Sequence, residues 1–215
     1  LLPGLTFSRD QILYRYSGIR PLPNSDSDDP GLISRDHSMP RLPASGDRPF
    51  SVLSLVWGKW TTFRAFAEQV SDHVLEELGA ARRRHTRDLA IGGGHAFPAD
   101  ANARTTWLSA LESDTGLTGS RLNILLARYG TRAAVIAAHE ATSSTVTIDG
   151  ARTHTEAEID WLARNERIEH LEDIVLRRTL LAITGQLTRA GLVQVAHVTA
   201  AACGWDEQRT RAEVD

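Results

Sequence analysis

The chain has 215 residues, a formal net charge of −3 and 41% hydrophobic residues, which is typical of a soluble protein long enough to bury a core. This charge provides no global basic excess that would indicate a nucleic-acid partner. The single cysteine, Cys203, excludes an internal disulfide and is typical of a reducing compartment. No apolar run approaches the ~20 residues of a membrane span. Because the chain begins without methionine and ends inside a predicted helix, we expect it to be a piece of a longer protein.

The first fifty residues predict short elements separated by turns. Ser8 and Gln11 form a capping box, which predicts a short helix after Ser8. Residues 33–37 are typical of a strand. Residues 40–49 predict a hairpin-like excursion, and the strand 51–56 would then return beside the first one.

The stretch 51–66 predicts a strand, a tight turn and a helix start. Gly58 permits the turn, and Thr61 or Thr62 is expected to cap the helix that follows. The start of a helix presents free backbone N–H groups and the positive end of its dipole. Lys59 lies in this turn, so the stretch concentrates positive potential at one point.

Lys59 is the only lysine among the 24 lysine and arginine residues of the chain. A tight site accepts a compact ammonium group and excludes a wide guanidinium fork. A position that stays lysine in an arginine-rich chain therefore indicates a site residue. The alternative is an ordinary strand-to-helix connection with a solvated lysine.

The sequence changes character after Gly79, which is expected to end the helix. The basic cluster 82–87 is compatible with anionic lipid or nucleic acid, although a solvated linker is the commoner explanation. The glycines 92–94 do not begin a dinucleotide-binding G-x-G-x-x-G motif, because Phe97 stands at the third glycine, and no window of the chain satisfies that motif. We place a domain boundary at 98–102.

From residue 104 onward the pattern predicts helices throughout. Ser120 is expected to cap one helix, and a capping box of Thr155 with Glu158, or of Thr153 with Glu156, begins another. A further charge group consists of two acidic and two basic side chains, which we interpret as a structural network joining helices: Glu166, Asp173, Arg177 and Arg178.

Two candidate metal motifs are incomplete. The acidic segment 24–31 resembles the start of a calcium loop, but His37 stands where a bidentate glutamate is required. His139 and Glu140 lack the second histidine of a zinc-binding helix. We therefore predict no metal site. Cys203 follows an apolar stripe and is predicted to be a buried small residue instead of a nucleophile.

Six segments, in this order, carry a family resemblance: GIRPL at 18–22, SRDH at 34–37, GKWTTFR at 58–64, RYG at 128–130, EAE at 156–158 and LEDIVLRRT at 171–179. Together they resemble the C-terminal half of FAD-dependent glycerol-3-phosphate dehydrogenase. One departure is Trp57, which stands where the family usually has a glycine, so that the close backbone approach to the flavin is affected.

This resemblance implies an α+β portion of a FAD- and substrate-binding domain over residues 1–98, followed by an all-α helical C-terminal domain over 104–215. It implies a flavoenzyme that oxidises sn-glycerol 3-phosphate to dihydroxyacetone phosphate and passes electrons through FAD to quinone. The implied location is cytoplasmic, peripheral at the inner face of the membrane. The implied partners are the N-terminal FAD-binding half of the same enzyme, the membrane surface and a second copy in a homodimer, without nucleic acid.

The resemblance also implies individual roles. Arg20 and Arg35 would bind the substrate, and Arg20 and Lys59 would be catalytic, because cations stabilise phosphate and developing negative charge. The flavin would be contacted by the turn: Gly58, Lys59, Trp60, Thr61 and Thr62. His37 is a candidate base for the C2 hydroxyl, and the alternative is a base outside this chain.

Two other functions stay open at this point. A glycerol-3-phosphate oxidase would share the fold and use oxygen in place of quinone. A non-catalytic helical interaction module is favoured slightly by Trp57, whereas the set Arg20, Arg35 and Lys59 argues against it.

Overall fold

The computed structural model describes residues 4, 6, 8–12, 14–15, 17–18, 24, 29, 32–56 and 59–215. The chain divides into two compact units, one of residues 17–89 and the other of residues 90–215 together with residues of 1–16. It changes unit between Leu89 and Ala90, ahead of the segment 98–102 at which the sequence pattern places the domain boundary. A mixed first part and a largely helical second part confirm the predicted fold class.

The smaller unit contains a hairpin of two short antiparallel strands, β1 (Arg41–Leu42) and β2 (Val52–Leu53). The pairing reaches further along the ribbon, because Ser38 and Val56 exchange two backbone hydrogen bonds of 3.0 Å. The predicted hairpin is therefore confirmed. The strand predicted for 33–37 is wrong, since the pairing begins only at Ser38 and the preceding residues have no partner strand among those described.

Helix α1 (Phe63–Glu77) follows the hairpin after a 3₁₀ turn over Trp60–Thr62. Its apolar stripe buries Phe66, which is 1% exposed. The expected side-chain cap does not form: the Thr62 hydroxyl donates instead to the Lys59 carbonyl oxygen over 2.9 Å. Gly79, at φ +64°, follows the end of the helix in the left-handed conformation that glycine adopts without strain.

The larger unit packs six helices around one hydrophobic core. They are α2 (Ala101–Thr115), α3 (Gly119–Tyr129), α4 (Ala133–Ala141), α5 (Glu156–Asn165), α6 (Arg189–Cys203) and α7 (Glu207–Val214). Helix α5 packs most extensively against α6, and α2, α3 and α4 contact one another. Fully buried side chains from α3, α4, α5 and α6 meet in the core, among them Leu122, Leu125, Ile136, Ile159 and Val195.

Side chains cap most of these helices as their sequences require. Thr118, two residues earlier than the expected Ser120, accepts a hydrogen bond from Arg121 N over 3.3 Å, so the predicted cap position was wrong. Thr155 accepts from Glu158 N over 3.1 Å, which confirms one half of that capping box. The same logic holds at residues 8–11, where the capping box is present around a single 3₁₀ turn.

A second hairpin interrupts the helices, so the prediction of helix throughout the larger unit was wrong for residues 147–155. Strand β3 (Thr147–Ile148) pairs antiparallel with β4 (Ala151–Thr155). The turn between them contains Asp149 and Gly150, and Gly150 has φ +75°. An Asp-Gly pair is a strong hairpin signal. Within the described part of the chain, no helix is both long and apolar enough to span a bilayer.

Candidate functional site

The hairpin of the smaller unit brings two predicted site residues to one end. One register holds from Leu42–Val52 to Ser38–Val56, and Arg35 and Lys59 each lie three residues beyond that last pair. Among the described residues the pairing ends at Ser38 and Val56, so both cations follow the same end of the ribbon and lie outside the paired residues. Both side chains are exposed. Arg20, Trp57 and Gly58, which the sequence also singles out, lie outside the described residues.

The helix that follows Lys59 begins without a side-chain cap. The Lys59 carbonyl accepts from both Thr62 N and Thr62 Oγ1, and neither Lys59 nor Thr62 caps the helix with its side chain. Trp60 projects outward with 81% of its surface exposed. This end of the ribbon therefore presents a cation, a wide aromatic face and the positive end of α1.

His37, the candidate base, is engaged in packing. Its Nε2 atom lies 2.8 Å from Gln69 Oε1, and its ring centroid lies 4.4 Å from that of Phe66. These contacts attach the ribbon to α1. The Nε2 atom is already hydrogen-bonded, so the geometry favours an anchoring role for His37, and the general base stays unassigned.

The basic cluster 82–87 is partly structural. Arg82 is only 14% exposed and lies 2.7 Å from Asp72 and 3.5 Å from Glu68. Glu68 also accepts from the backbone N–H and the hydroxyl of Thr86. These bonds hold the segment against α1, which is more than a solvated linker requires.

A buried ion-pair network lies in the larger unit, and the sequence interpretation missed it. Glu158 is 0% exposed and accepts from Arg121 Nη2 over 2.8 Å and from Arg128 Nη1 over 2.9 Å. Tyr129 Oη donates to Glu158 Oε1 over 2.6 Å. Arg121 also donates to Glu140, which is 2% exposed. The network therefore joins α3, α4 and α5 and leaves neither buried carboxylate unpaired.

Burial and the charges of this network shift the pKa values of three groups. Burial would raise the pKa of Glu158, but the Arg128 and Arg121 guanidiniums outweigh it and hold that pKa below its usual value. Burial raises the pKa of Tyr129, and the Glu158 charge adds to this. Burial lowers the pKa of His154 to about 4; the Glu158 charge opposes this, and the Arg128 and Arg121 charges add to it. His154 is therefore neutral near pH 7, while Glu158 is ionised.

The acidic and basic residues 166–178 form the ion pairs that the sequence predicts. Arg177 lies 2.6 Å from Asp173 and 2.7 Å from Glu172. Asp173 also accepts from the backbone N–H of His170 over 2.9 Å. Arg178 lies 3.5 Å from Glu166, in a looser pair. These contacts stabilise the π-helical turn that ends at Arg178.

The comparisons with known proteins cover both units. The family model of the C-terminal domain of alpha-glycerophosphate oxidase matches residues 84–210. A glycerol-3-phosphate dehydrogenase of Synechocystis sp. is 28% identical over 214 residues, which are 97% of this chain and 37% of that protein. The aerobic glycerol-3-phosphate dehydrogenase of Escherichia coli is 30% identical over 80% of this chain and 33% of its own length. Glycerol-3-phosphate dehydrogenase 2 of Mycobacterium tuberculosis is 30% identical, with 93% and 32% covered. The chain thus spans about a third of the length of these curated relatives.

Proposed function

The chain belongs to the glycerol-3-phosphate dehydrogenase family and contains its helical C-terminal domain, and from this premise we propose that it forms part of a flavoenzyme oxidising sn-glycerol 3-phosphate to dihydroxyacetone phosphate. The proposed route takes electrons through FAD to quinone at the inner face of the membrane. The observation that carries the proposal is that Arg35 and Lys59 follow the same end of the ribbon, because exposed cations on one side of a unit favour an anionic substrate.

The proposed substrate carries a phosphate group, and Arg35 is the described residue best suited to it. A guanidinium donates two parallel hydrogen bonds to phosphate oxygens, which fixes both position and orientation. Arg20 has the same proposed role through the family resemblance. Lys59 supplies a compact charge for the C2 oxygen or for a negatively charged cofactor edge.

The residues present fit one end of FAD. Lys59, the exposed face of Trp60 and the uncapped start of the following helix suit a flat ring system whose reduced form is anionic. The pyrophosphate would need a glycine-rich cradle, and this sequence has no G-x-G-x-x-G window. We therefore propose that the N-terminal FAD-binding half of the enzyme holds the pyrophosphate.

When bound, FAD supplies the two-electron acceptor for the C2 hydride of the substrate. The contributions of this chain are electrostatic and positional: Arg35 orients the phosphate, and Lys59 stabilises the negative charge that develops on the C2 oxygen as the hydroxyl proton leaves. The positive end of the α1 dipole adds fixed potential that needs no reorganisation during the reaction. None of the described residues is assigned as the base that accepts the C2 hydroxyl proton.

A glycerol-3-phosphate oxidase is the second candidate, because the matching family model describes an alpha-glycerophosphate oxidase. The two functions differ only in the electron acceptor. The test uses the full-length product of the gene that encodes this chain, supplied with glycerol 3-phosphate and either a soluble quinone analogue or oxygen. Quinone reduction without hydrogen peroxide supports the dehydrogenase, whereas stoichiometric peroxide supports the oxidase.

If a preparation with bound flavin is inactive with both acceptors, the result would contradict both enzymes. It would favour the third function, a non-catalytic helical interaction module. The Arg35→Ala variant is assayed in parallel. Only turnover of the phosphate substrate requires the Arg35 guanidinium, so this variant separates turnover from background flavin oxidation.

A further inference from the structure

A cleft in the larger unit is lined by three arginines and, among its described lining residues, by no aspartate or glutamate. It has a volume of about 420 Å³. Its wall includes the polar side chains of Arg128, His154, Arg177, Arg178, Thr184 and Gln186. We name it the Arg178 cleft. The carboxylates that pair with its arginines, such as Glu158 and Asp173, are not among the residues that line it.

Arg178 is the least engaged of the three arginines. Its one ion pair in the described part of the chain is with Glu166 at 3.5 Å, longer than a charge-assisted hydrogen bond, and its side chain is 40% exposed. Arg128, in contrast, donates to Glu158 and Thr153 over 2.9 Å. Arg178 therefore has N–H groups free to turn toward a ligand, while Arg128 contributes a fixed positive charge.

His154 adds a neutral donor to the same wall. Its Nδ1 atom lies 3.4 Å from Arg128 Nη2, which carries only donors, so Nδ1 must accept and the ring proton resides on Nε2. No fully buried side-chain nitrogen or oxygen of the described residues lacks a partner. Nε2 makes no hydrogen bond within the described chain, so it is reached by solvent. Since burial lowers the pKa of His154 to about 4, this donor carries no charge near pH 7.

We propose that the Arg178 cleft binds the phosphate group of a small organic phosphate, held by the Arg178 guanidinium and by the Nε2–H of His154. Arginine forks and neutral N–H donors are the groups that recognise phosphate oxygens in proteins. The cleft is larger than an inorganic phosphate ion needs, and Leu176 and Leu180 supply apolar wall for an organic substituent. All of the described residues that line the cleft belong to the larger unit, so the proposal does not depend on the oxidoreductase reaction.

The test titrates the 215-residue chain with phenyl phosphate and follows the His154 ring nitrogens by NMR. We expect a saturable shift at Nε2, and about tenfold weaker binding in Arg178→Ala, which is the loss of one charge-assisted hydrogen bond. Arg167→Ala is the matched control, because Arg167 is 86% exposed and pairs only with Glu169 among the described residues. This control should retain the affinity of the unchanged chain.

A second variant and a second probe complete the test. Gln186→Ala removes an exposed side chain at the cleft and is expected to weaken binding less than Arg178→Ala, with the fold unchanged. Inorganic phosphate should bind several-fold more weakly than phenyl phosphate, and equal affinities would contradict an organic ligand. An absent Nε2 shift, or equal losses in Arg178→Ala and Arg167→Ala, would overturn the proposed site.

Discussion

Gly93 and Gly130 approach each other backbone to backbone, and neither position has room for a side chain. A Cβ atom on Gly130 would overlap the Gly93 carbonyl oxygen and lie 2.7 Å from the carbonyl carbon. Thr131 Oγ1 donates to the same Gly93 oxygen over 3.0 Å. Gly93 is therefore a packing element beside the end of α3, which explains glycine at this position without a phosphate ligand.

The first prediction follows from this contact. Gly130→Ala is expected to destabilise the chain by about 2 kcal/mol or more, because Gly130 has φ +58° in addition to the overlap. Thermal and urea unfolding measure the change. Gly119→Ala is the control: its Cβ would meet only Glu112 Oε2 at 3.6 Å, so stability should stay equal or rise slightly. Equal losses in both variants would contradict the close contact.

The second prediction concerns the buried network. Glu158→Gln is expected to cost about 3–5 kcal/mol in unfolding free energy, because Arg121 and Arg128 would lose their shared counter-ion. Tyr129→Phe removes one hydrogen bond to the same carboxylate and should cost about 1–2 kcal/mol. Glu172→Gln is the control, since this exposed pair should contribute less than about 1 kcal/mol. A Glu158→Gln loss as small as that control would refute the network.

Glu158 shows where sequence reasoning succeeds and where it stops. Its spacing from Thr155 predicts a helix start, and the Thr155 hydroxyl does accept from Glu158 N. The carboxylate, however, turns to Arg121 and Arg128, which lie 37 and 30 residues earlier in the chain. Local patterns report the helix start, whereas the choice of partner depends on how α3 packs against α5, which no local window contains.

The hairpin of β3 and β4, which the sequence interpretation missed, does have a signal in the local sequence. Asp149 and Gly150 form a local turn signal, and the flanking segments 145–148 and 151–155 are rich in β-branched residues, so the local pattern already favoured a hairpin that the sequence interpretation overlooked. In the smaller unit, the turn at Lys59 and the helix after it are predicted correctly in position. Whether Arg35 and Lys59 follow the same end of the ribbon depends on the strand register, which the sequence pattern does not define for so short a ribbon.

The third prediction is a pH dependence caused by His154. Its pKa falls from an ordinary 6.5 to about 4 in the folded chain, so the unfolded chain binds more protons between these values. Stability should therefore decrease as the pH falls from about 6.5 towards 4. Glu158, whose folded pKa is depressed, contributes stability that is lost only at lower pH, below its usual 4.5.

Urea unfolding at several pH values tests this dependence. His154→Gln should flatten the slope between pH 6.5 and 4, and NMR titration of His154 should report its low pKa directly. His73, on the exposed side of α1, is the control position, because its replacement separates the effect of the His154 environment from the loss of any histidine. A His154 that titrates near 6.5 would refute the explanation.

The fourth prediction is that the 215-residue chain alone does not retain FAD. Its sequence has no glycine-rich pyrophosphate motif, and the turn at Lys59 would reach only the flavin end of the cofactor. Purification in the presence of added FAD, followed by visible absorbance of the desalted protein, measures retention. A stoichiometric flavin spectrum would show that a cradle exists elsewhere in the chain.

The fifth prediction concerns Lys59 in the full-length product of the gene. Lys59→Arg should leave stability within about 0.5 kcal/mol, because the side chain is exposed in a turn. Turnover of glycerol 3-phosphate should nevertheless fall on the order of 10²–10³-fold, since a wide guanidinium cannot place its charge where the ammonium lies. The matched swap in the opposite direction, Arg35→Lys, should raise KM more than it lowers kcat, because a phosphate contact acts in both the ground state and the transition state.

The two variants together separate a catalytic cation from a binding cation at the same end of the ribbon. If Lys59→Arg also raised only KM, Lys59 would be a second phosphate contact, and the charge on the C2 oxygen would need another source. If it changed neither kcat nor KM nor the flavin content, the single lysine would be an accident of an arginine-rich composition. Turnover, KM and flavin content measured on one preparation distinguish these outcomes, because a loss of cofactor lowers kcat in proportion to flavin content, whereas a misplaced charge lowers kcat per bound flavin.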